Sequence, residues 1–231
     1  EEDMLWRPGT ALVGRQEHAR GPFRYQTYPT GTFLGEQFPA PGLILVDGRI
    51  VLQIWGARAR GENWRCGVLL SDDDGVTWRY RDVGYEADVA IRDKPRMAAG
   101  FNEQTLFDLG GGRLVSIIRG REKLGRVPGS PRDTFYFRSA SDDGGESWSK
   151  PEATNMAGTG APPAGVVLAD GSLLTASRVC YSRDLYPLPD KQLFGLIFFR
   201  SRDAGRTWTP EQYLQHDPEG TVFDSHYSAM N

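Results

Sequence analysis

Ser71-Asp72-Asp73-Asp74-Gly75-Val76-Thr77-Trp78, Ser141-Asp142-Asp143-Gly144-Gly145-Glu146-Ser147-Trp148 and Ser201-Arg202-Asp203-Ala204-Gly205-Arg206-Thr207-Trp208 are three copies of one phrase, Ser-x-Asp-x-Gly-x-Ser/Thr-Trp, starting 70 and then 60 residues apart. Each residue type has a task in a tight turn. The Asp carboxylate accepts hydrogen bonds from N–H groups of its own turn, and Gly supplies a left-handed backbone angle. The Trp leaves the turn as a large apolar anchor. Repetition at a fixed long period marks a solenoid, a propeller or an array.

The sequence around each copy repeats as well. Leu43-Ile44-Leu45-Val46 precedes the turn Asp47-Gly48, Leu106-Phe107-Asp108-Leu109 precedes Gly110-Gly111-Gly112, and Val166-Val167-Leu168 precedes Asp170-Gly171. A second strand follows each turn, beginning at Ile50, Leu114 and Leu173. A loop then leads to a third strand that ends in the phrase, as Phe135-Tyr136-Phe137 and Leu196-Ile197-Phe198-Phe199 do. Short strands, Gly turns and scarce helical periodicity predict an all-β chain of up-and-down four-stranded meanders, the blades of a β-propeller. The period exceeds those of WD40 and kelch blades.

Bulk properties narrow the function. A net charge of -3 and a pI near 5.7 argue against a nucleic-acid partner. No apolar run approaches the ~20 residues of a membrane-spanning helix, and Glu1-Glu2-Asp3-Met4 lacks the charged and apolar regions of a signal peptide. Cys66 and Cys180 have no metal-type spacing and read as two buried free thiols. His18, His216 and His226 are too scattered for a metal triad or a Ser-His-Asp set. Gly110-Gly111-Gly112 lies between two strands, not before a helix, so it is no phosphate loop. Asp72-Asp73-Asp74 belongs to its turn rather than to calcium, and neither metal nor organic cofactor is expected.

A meander also assigns faces. If strand one runs to the Gly turn and strand two returns, the loop after strand two lies at the pole opposite that turn. Strand three runs back, which places the repeated phrase on the turn side. The functional pole then holds Gln37 to Pro41, Trp55 to Trp64, Asn102-Glu103, Arg119 to Arg132, Ala161 to Pro163, Arg178 to Lys191 and His226-Tyr227. Arg119 and Arg178 each stand seven residues after the last turn glycine, and Trp55 holds that place in the first repeat. Convergent guanidinium groups suit an anionic ligand, because the planar fork binds a carboxylate bidentately. Tyr25, Tyr28, Trp55 and Trp64 suit either sugar stacking or packing between blades. Residues 1–36 read either as the end of a preceding blade or as a loop crossing the face.

The repeated phrase resembles the Asp box, or BNR repeat, of the sialidase (neuraminidase) superfamily. In that family it forms the turn between the third and fourth strands of a blade, away from the active site. The stretch Asn102-Glu103-Gln104-Thr105-Leu106-Phe107-Asp108-Leu109-Gly110-Gly111-Gly112-Arg113-Leu114-Val115-Ser116-Ile117-Ile118-Arg119 resembles the family segment carrying a catalytic Glu and, sixteen residues on, a substrate-binding Arg. His226-Tyr227-Ser228-Ala229-Met230 is similar to the segment whose Tyr is the nucleophile. The resemblance thus implies Glu103 and Tyr227 as catalytic, with Arg119 binding substrate; Arg178 joins it as a substrate-binding candidate from its equivalent placement after the turn glycine. It also leaves gaps. Gln37-Phe38-Pro39 has no arginine where the family has Arg-Ile-Pro, Lys191 and Gln192 stand where another arginine is expected, and Arg178 and Arg183, the substitutes at hand, are both off that position. Glu62 is the nearest carboxylate for the acid/base role.

Taken together, the expectation is a partial sialidase-like propeller over residues 1–231, with repeat units at about 39–80, 102–150 and 162–210 and a further unit starting from 224. Six blades are expected in the parent and about three here. The implied activity is exo-acting hydrolysis of a terminal, sialic acid-like sugar of a glycan. The alternative is a non-catalytic Asp-box propeller that binds glycan or protein. The resemblance favours a secreted or periplasmic location.

Overall fold

A computed structural model describes residues 10–16, 18–29, 37–56, 64–84, 100–120, 134–158, 164–180 and 194–213. Every regular element among them is a strand, and no described helix is long and apolar enough to cross a membrane. β1 (Thr10–Arg15) and β2 (Arg24–Pro29) pair as an antiparallel hairpin outside the repeats. On it Tyr25 and Phe23, both largely exposed, stack with ring centroids 6.0 Å apart.

Three antiparallel four-stranded sheets follow in chain order, each a simple meander. Blade one comprises β3 (Gln37–Val46), β4 (Arg49–Gly56), β5 (Arg65–Ser71) and β6 (Arg79–Gly84). Blade two comprises β7 (Phe101–Asp108), β8 (Leu114–Gly120), β9 (Thr134–Ser141) and β10 (Glu152–Gly158). Blade three comprises β11 (Ala164–Val167), β12 (Leu173–Cys180), β13 (Phe194–Ser201) and β14 (Thr209–Tyr213). The fourth strands, which the sequence pattern did not mark, begin one residue after Trp78 and Trp208 and four residues after Trp148.

Each Asp box closes the same network. In box one, Ser71 Oγ donates to Asp73 Oδ1 at 2.8 Å and accepts from the Gly75 N–H at 2.7 Å. The Thr77 N–H and hydroxyl donate to the two Asp73 oxygens at 2.8 and 2.6 Å. Ser141, Asp143, Gly145 and Ser147 repeat these bonds in box two, and Ser201, Asp203, Gly205 and Thr207 do so in box three. The Thr77 hydroxyl and N–H hold the Asp73 carboxyl down at about 2. Partial desolvation opposes the Asp143 anion, yet the Ser147 and Ser141 donors together hold it at about 2 as well. Two consecutive left-handed residues make each turn: Asp74-Gly75, Gly144-Gly145 and Ala204-Gly205. The Trp indole N–H returns to the box Gly carbonyl at 3.0–3.1 Å in all three.

The blades stack face to face, so strands lose the usual apolar/polar alternation. β8 is buried over Leu114-Val115-Ser116-Ile117-Ile118 because alternate residues serve different interfaces. Leu114 and Ile118 join Val51, Cys66, Val68 and Leu70 in a core between blades one and two. Val115 and Ile117 join Leu173, Ile197, Phe199 and Trp208 in a core between blades two and three. Polar ties cross both cores. Gln104 Nε2 donates to Gly67 O at 2.6 Å and Ile54 O at 3.3 Å, while its Oε1 accepts from Ser116 Oγ at 2.8 Å. Asn155 brackets Trp208, donating to its carbonyl at 2.9 Å and accepting from its N–H at 2.8 Å. Tyr136 and Ser177 share a hydroxyl bond of 2.8 Å.

The two poles differ as the meander predicts. The Gly144 N–H bonds Gly112 O at 2.8 Å, so box two lies beside the β7–β8 turn. At that pole Arg49, Arg79 and Arg81 pair with Glu146, and Arg49 and Arg79 also with Asp72, which links the boxes of blades one and two. The far pole holds the candidate site.

Candidate functional site

Strand register fixes which residues reach the far pole. The box serines pair across the sheet with Ile50, Leu114 and Leu173. Five residues farther along the second strands, the pairs are Trp55 with Cys66, Arg119 with Tyr136, and Arg178 with Leu196. Trp55, Arg119 and Arg178 are therefore equivalent positions, as counting from the turn glycines predicts.

The start of β7 is pinned to blade one before the site begins. Gly100 bridges Trp64, and the Phe101 N–H donates to Trp64 O at 3.1 Å. Gly100 has φ of 123°, and a Cβ on it would sit 2.2 Å from Trp64 O, so only glycine fits. Asn102 then pairs with Arg119, and Gln104 pairs with Ile118. Glu103 has no partner between them: it is the extra residue of a β-bulge, with φ of 46°.

The bulge decides what Glu103 touches. In a regular ladder Asn102 would share a face with Arg119, and Glu103 would point the other way. The left-handed turn at Glu103 re-aims it, and its carboxylate forms an ion pair with Arg119 Nη1. A left-handed non-glycine residue costs about 1–2 kcal/mol. Both side chains are largely withdrawn from water, at 10% exposure for Glu103 and 22% for Arg119. Asn102 is buried beside them, and its Oδ1 has no hydrogen-bond partner among the described residues.

Cys66, close enough to feel the Glu103 charge, belongs with Phe101 and Trp55 to the apolar core between blades one and two. Cys66 is a fully buried free thiol, as expected, and burial, with a smaller contribution from the Glu103 charge, pushes its thiol well up. Phe101 is also fully buried, and the half-buried Trp55 and Trp64 rings tilt against each other with centroids 4.8 Å apart. Those two tryptophans thus pack on one another.

Of the sequence candidates, Glu103 and Arg119 come together, and Arg178 takes the equivalent backbone position in blade three. Tyr227, Glu62, Arg183, Lys191 and Gln192 lie outside the described residues. The sequence reading placed Asn102 at this pole without giving it a role, and it missed the bulge. No group of His, Cys, Asp and Glu suited to a metal ion occurs among the described residues.

A family profile described as the BNR repeat-like domain matches residues 25–230. The chain belongs to this family. No curated protein matches it. Among solved structures, this BNR repeat-like chain is similar to the Hadza microbial sialidase Hz136, with 19% identity and a TM-score of 0.59 over 84% of this chain and 42% of that one. The K499G mutant of NanB sialidase from Streptococcus pneumoniae aligns with 17% identity and a TM-score of 0.51, over 87% of this chain and 28% of that one. Trypanosoma rangeli sialidase in complex with the inhibitor DANA aligns with 16% identity and a TM-score of 0.50, over 90% and 37%. At such identities the likeness is one of fold: the three sheets are blades of a sialidase-like β-propeller. The chain spans less than half the length of these sialidases.

Proposed function

We propose that the protein is an exo-acting, sialidase-like glycoside hydrolase that removes a terminal anionic sugar from a glycan. The observation that carries this is the bulged Glu103 held against Arg119 at the pole away from the Asp boxes. A carboxylate and a guanidinium largely withdrawn from water serve acid–base work and anion binding together. Here Glu103 takes the phenolic proton of Tyr227. The phenolate attacks the anomeric carbon, the glycosidic C–O bond breaks, and the leaving oxygen is protonated by an acid for which Glu62 is the candidate. Water, giving its proton to the now ionised Glu62, then displaces the Tyr227 oxygen from the anomeric carbon, and the proton on Glu103 returns to Tyr227. A neutral phenol is a poor nucleophile near pH 7, so a neighbouring base is required. Arg119 holds the substrate carboxylate, and Arg178 is assigned as a second cation.

Glu103→Gln in the full-length protein is the test. Turnover of an α-sialoside should fall by at least ~100-fold with an unchanged melting temperature; unchanged turnover rejects the assignment. Trp55, standing where the other two blades carry arginine, favours a second reading, a propeller that binds glycan without cleaving it. Retained binding of an intact α-sialoside by the wild-type protein with no hydrolysis would select that reading.

A further inference from the structure

Two buried amides two residues apart are treated differently by the fold. Gln104 spends both ends of its amide on three hydrogen bonds. Asn102, 1% exposed, leaves its Oδ1 with none among the described residues. A buried acceptor without a donor is costly, and folds rarely keep one without a reason. Its place supplies the reason. Asn102 lies directly across the ladder from Arg119 and next in sequence to Glu103.

We propose that Asn102 is a specificity-determining residue, whose Oδ1 accepts a hydrogen bond from a hydroxyl or amide N–H on the same ligand whose anionic group Arg119 binds. This rests on the sialidase-like reading and adds to it. Arg119 only donates. Ionised Glu103 only accepts, and it repels an anion. A neutral carbonyl oxygen recognises a donor without opposing the negative charge. Cross-strand partners stand about 5 Å apart at Cβ. The ligand's donor must therefore lie within a few bonds of its anionic group. A bare carboxylate would satisfy Arg119 and leave Asn102 unpaired.

The full-length protein, Asn102→Leu and Asn102→Ala are titrated with DANA, and melting temperatures are recorded with and without it. Leucine fills a similar volume without the unpaired oxygen. The expected result is about tenfold weaker DANA binding in both variants. The ligand-free melting temperature of Asn102→Leu should be equal to or above that of the parent. DANA affinity within twofold of the parent in both variants would overturn the inference while leaving the sialidase-like reading intact. So would a weakening found only where the ligand-free melting temperature also falls, since that marks a structural role. Failure of the parent protein to bind DANA would reject the sialidase-like reading, and this inference with it.

Discussion

Gln104→Leu isolates the polar tie between blades one and two, because leucine is close in volume and opens no large cavity. The bonds to Gly67 O at 2.6 Å and from Ser116 at 2.8 Å are of good length, and the one to Ile54 O at 3.3 Å is long. At about 1 kcal/mol for each good bond and about half that for the long one, roughly 2.5 kcal/mol is lost. Leucine recovers part of this through apolar burial, and the Ser116 hydroxyl is left to find another acceptor. The expected net loss is about 2 kcal/mol, a drop in melting temperature of roughly 4–8 °C. Urea unfolding of parent and variant measures it, with an unchanged denaturant slope as the sign that only the folded state was altered. A double-mutant cycle with Ser116→Ala should return about 1 kcal/mol of coupling. A loss under about 0.5 kcal/mol would show that the blades are held by apolar packing alone, and the reasoning from hydrogen bonds would fail.

Three further outcomes are expected. Gly205→Ala places a Cβ 3.1 Å from Ile117 Cδ1 and 3.2 Å from Val115 Cγ1 at a φ of 83°; with about 1–2 kcal/mol of left-handed strain it should destabilise by roughly 2 kcal/mol in thermal unfolding. Asp73 and Asp143 titrate at about 2 when folded, below the usual value near 3.9 when unfolded. The unfolded chain therefore binds more protons between these values, and stability falls as pH drops from about 4 to 2; a melting temperature that stays flat across that window would contradict the box geometry. In a Cys180→Ser background, Cys66 should react with a thiol reagent only as fast as the protein unfolds, since it is fully buried and its thiol is pushed up.

What was legible in the sequence is what is local. Every bond of an Asp box closes within seven residues, so a spacing of Ser, Asp, Gly and Ser/Thr suffices to define it. The equivalence of Trp55, Arg119 and Arg178 was legible for a related reason: a short hairpin turn fixes register, and register can be counted. The bulge left no mark, because an extra residue in a strand changes neither composition nor apolar pattern. The ties of Gln104 and Asn155 to the neighbouring blades left no local sign, because those partners stand 37 to 53 residues away. Glu146 is likewise written as a variable position of its box, yet it meets three arginines of blade one.

The division of each strand between a box end and a site end has a consequence for how such a chain changes over time. One slot per blade, filled here by Trp55, Arg119 and Arg178, holds the same backbone position in the three described blades, five residues from the box serine pairing. A substitution in a slot disturbs no turn and no Trp anchor, so the slots can be rewritten one at a time like pins in a lock. Duplication of a blade would then bring a new pin as well as new structure. The propeller's recognition could drift from one ligand to another while the scaffold stayed under its own, separate selection.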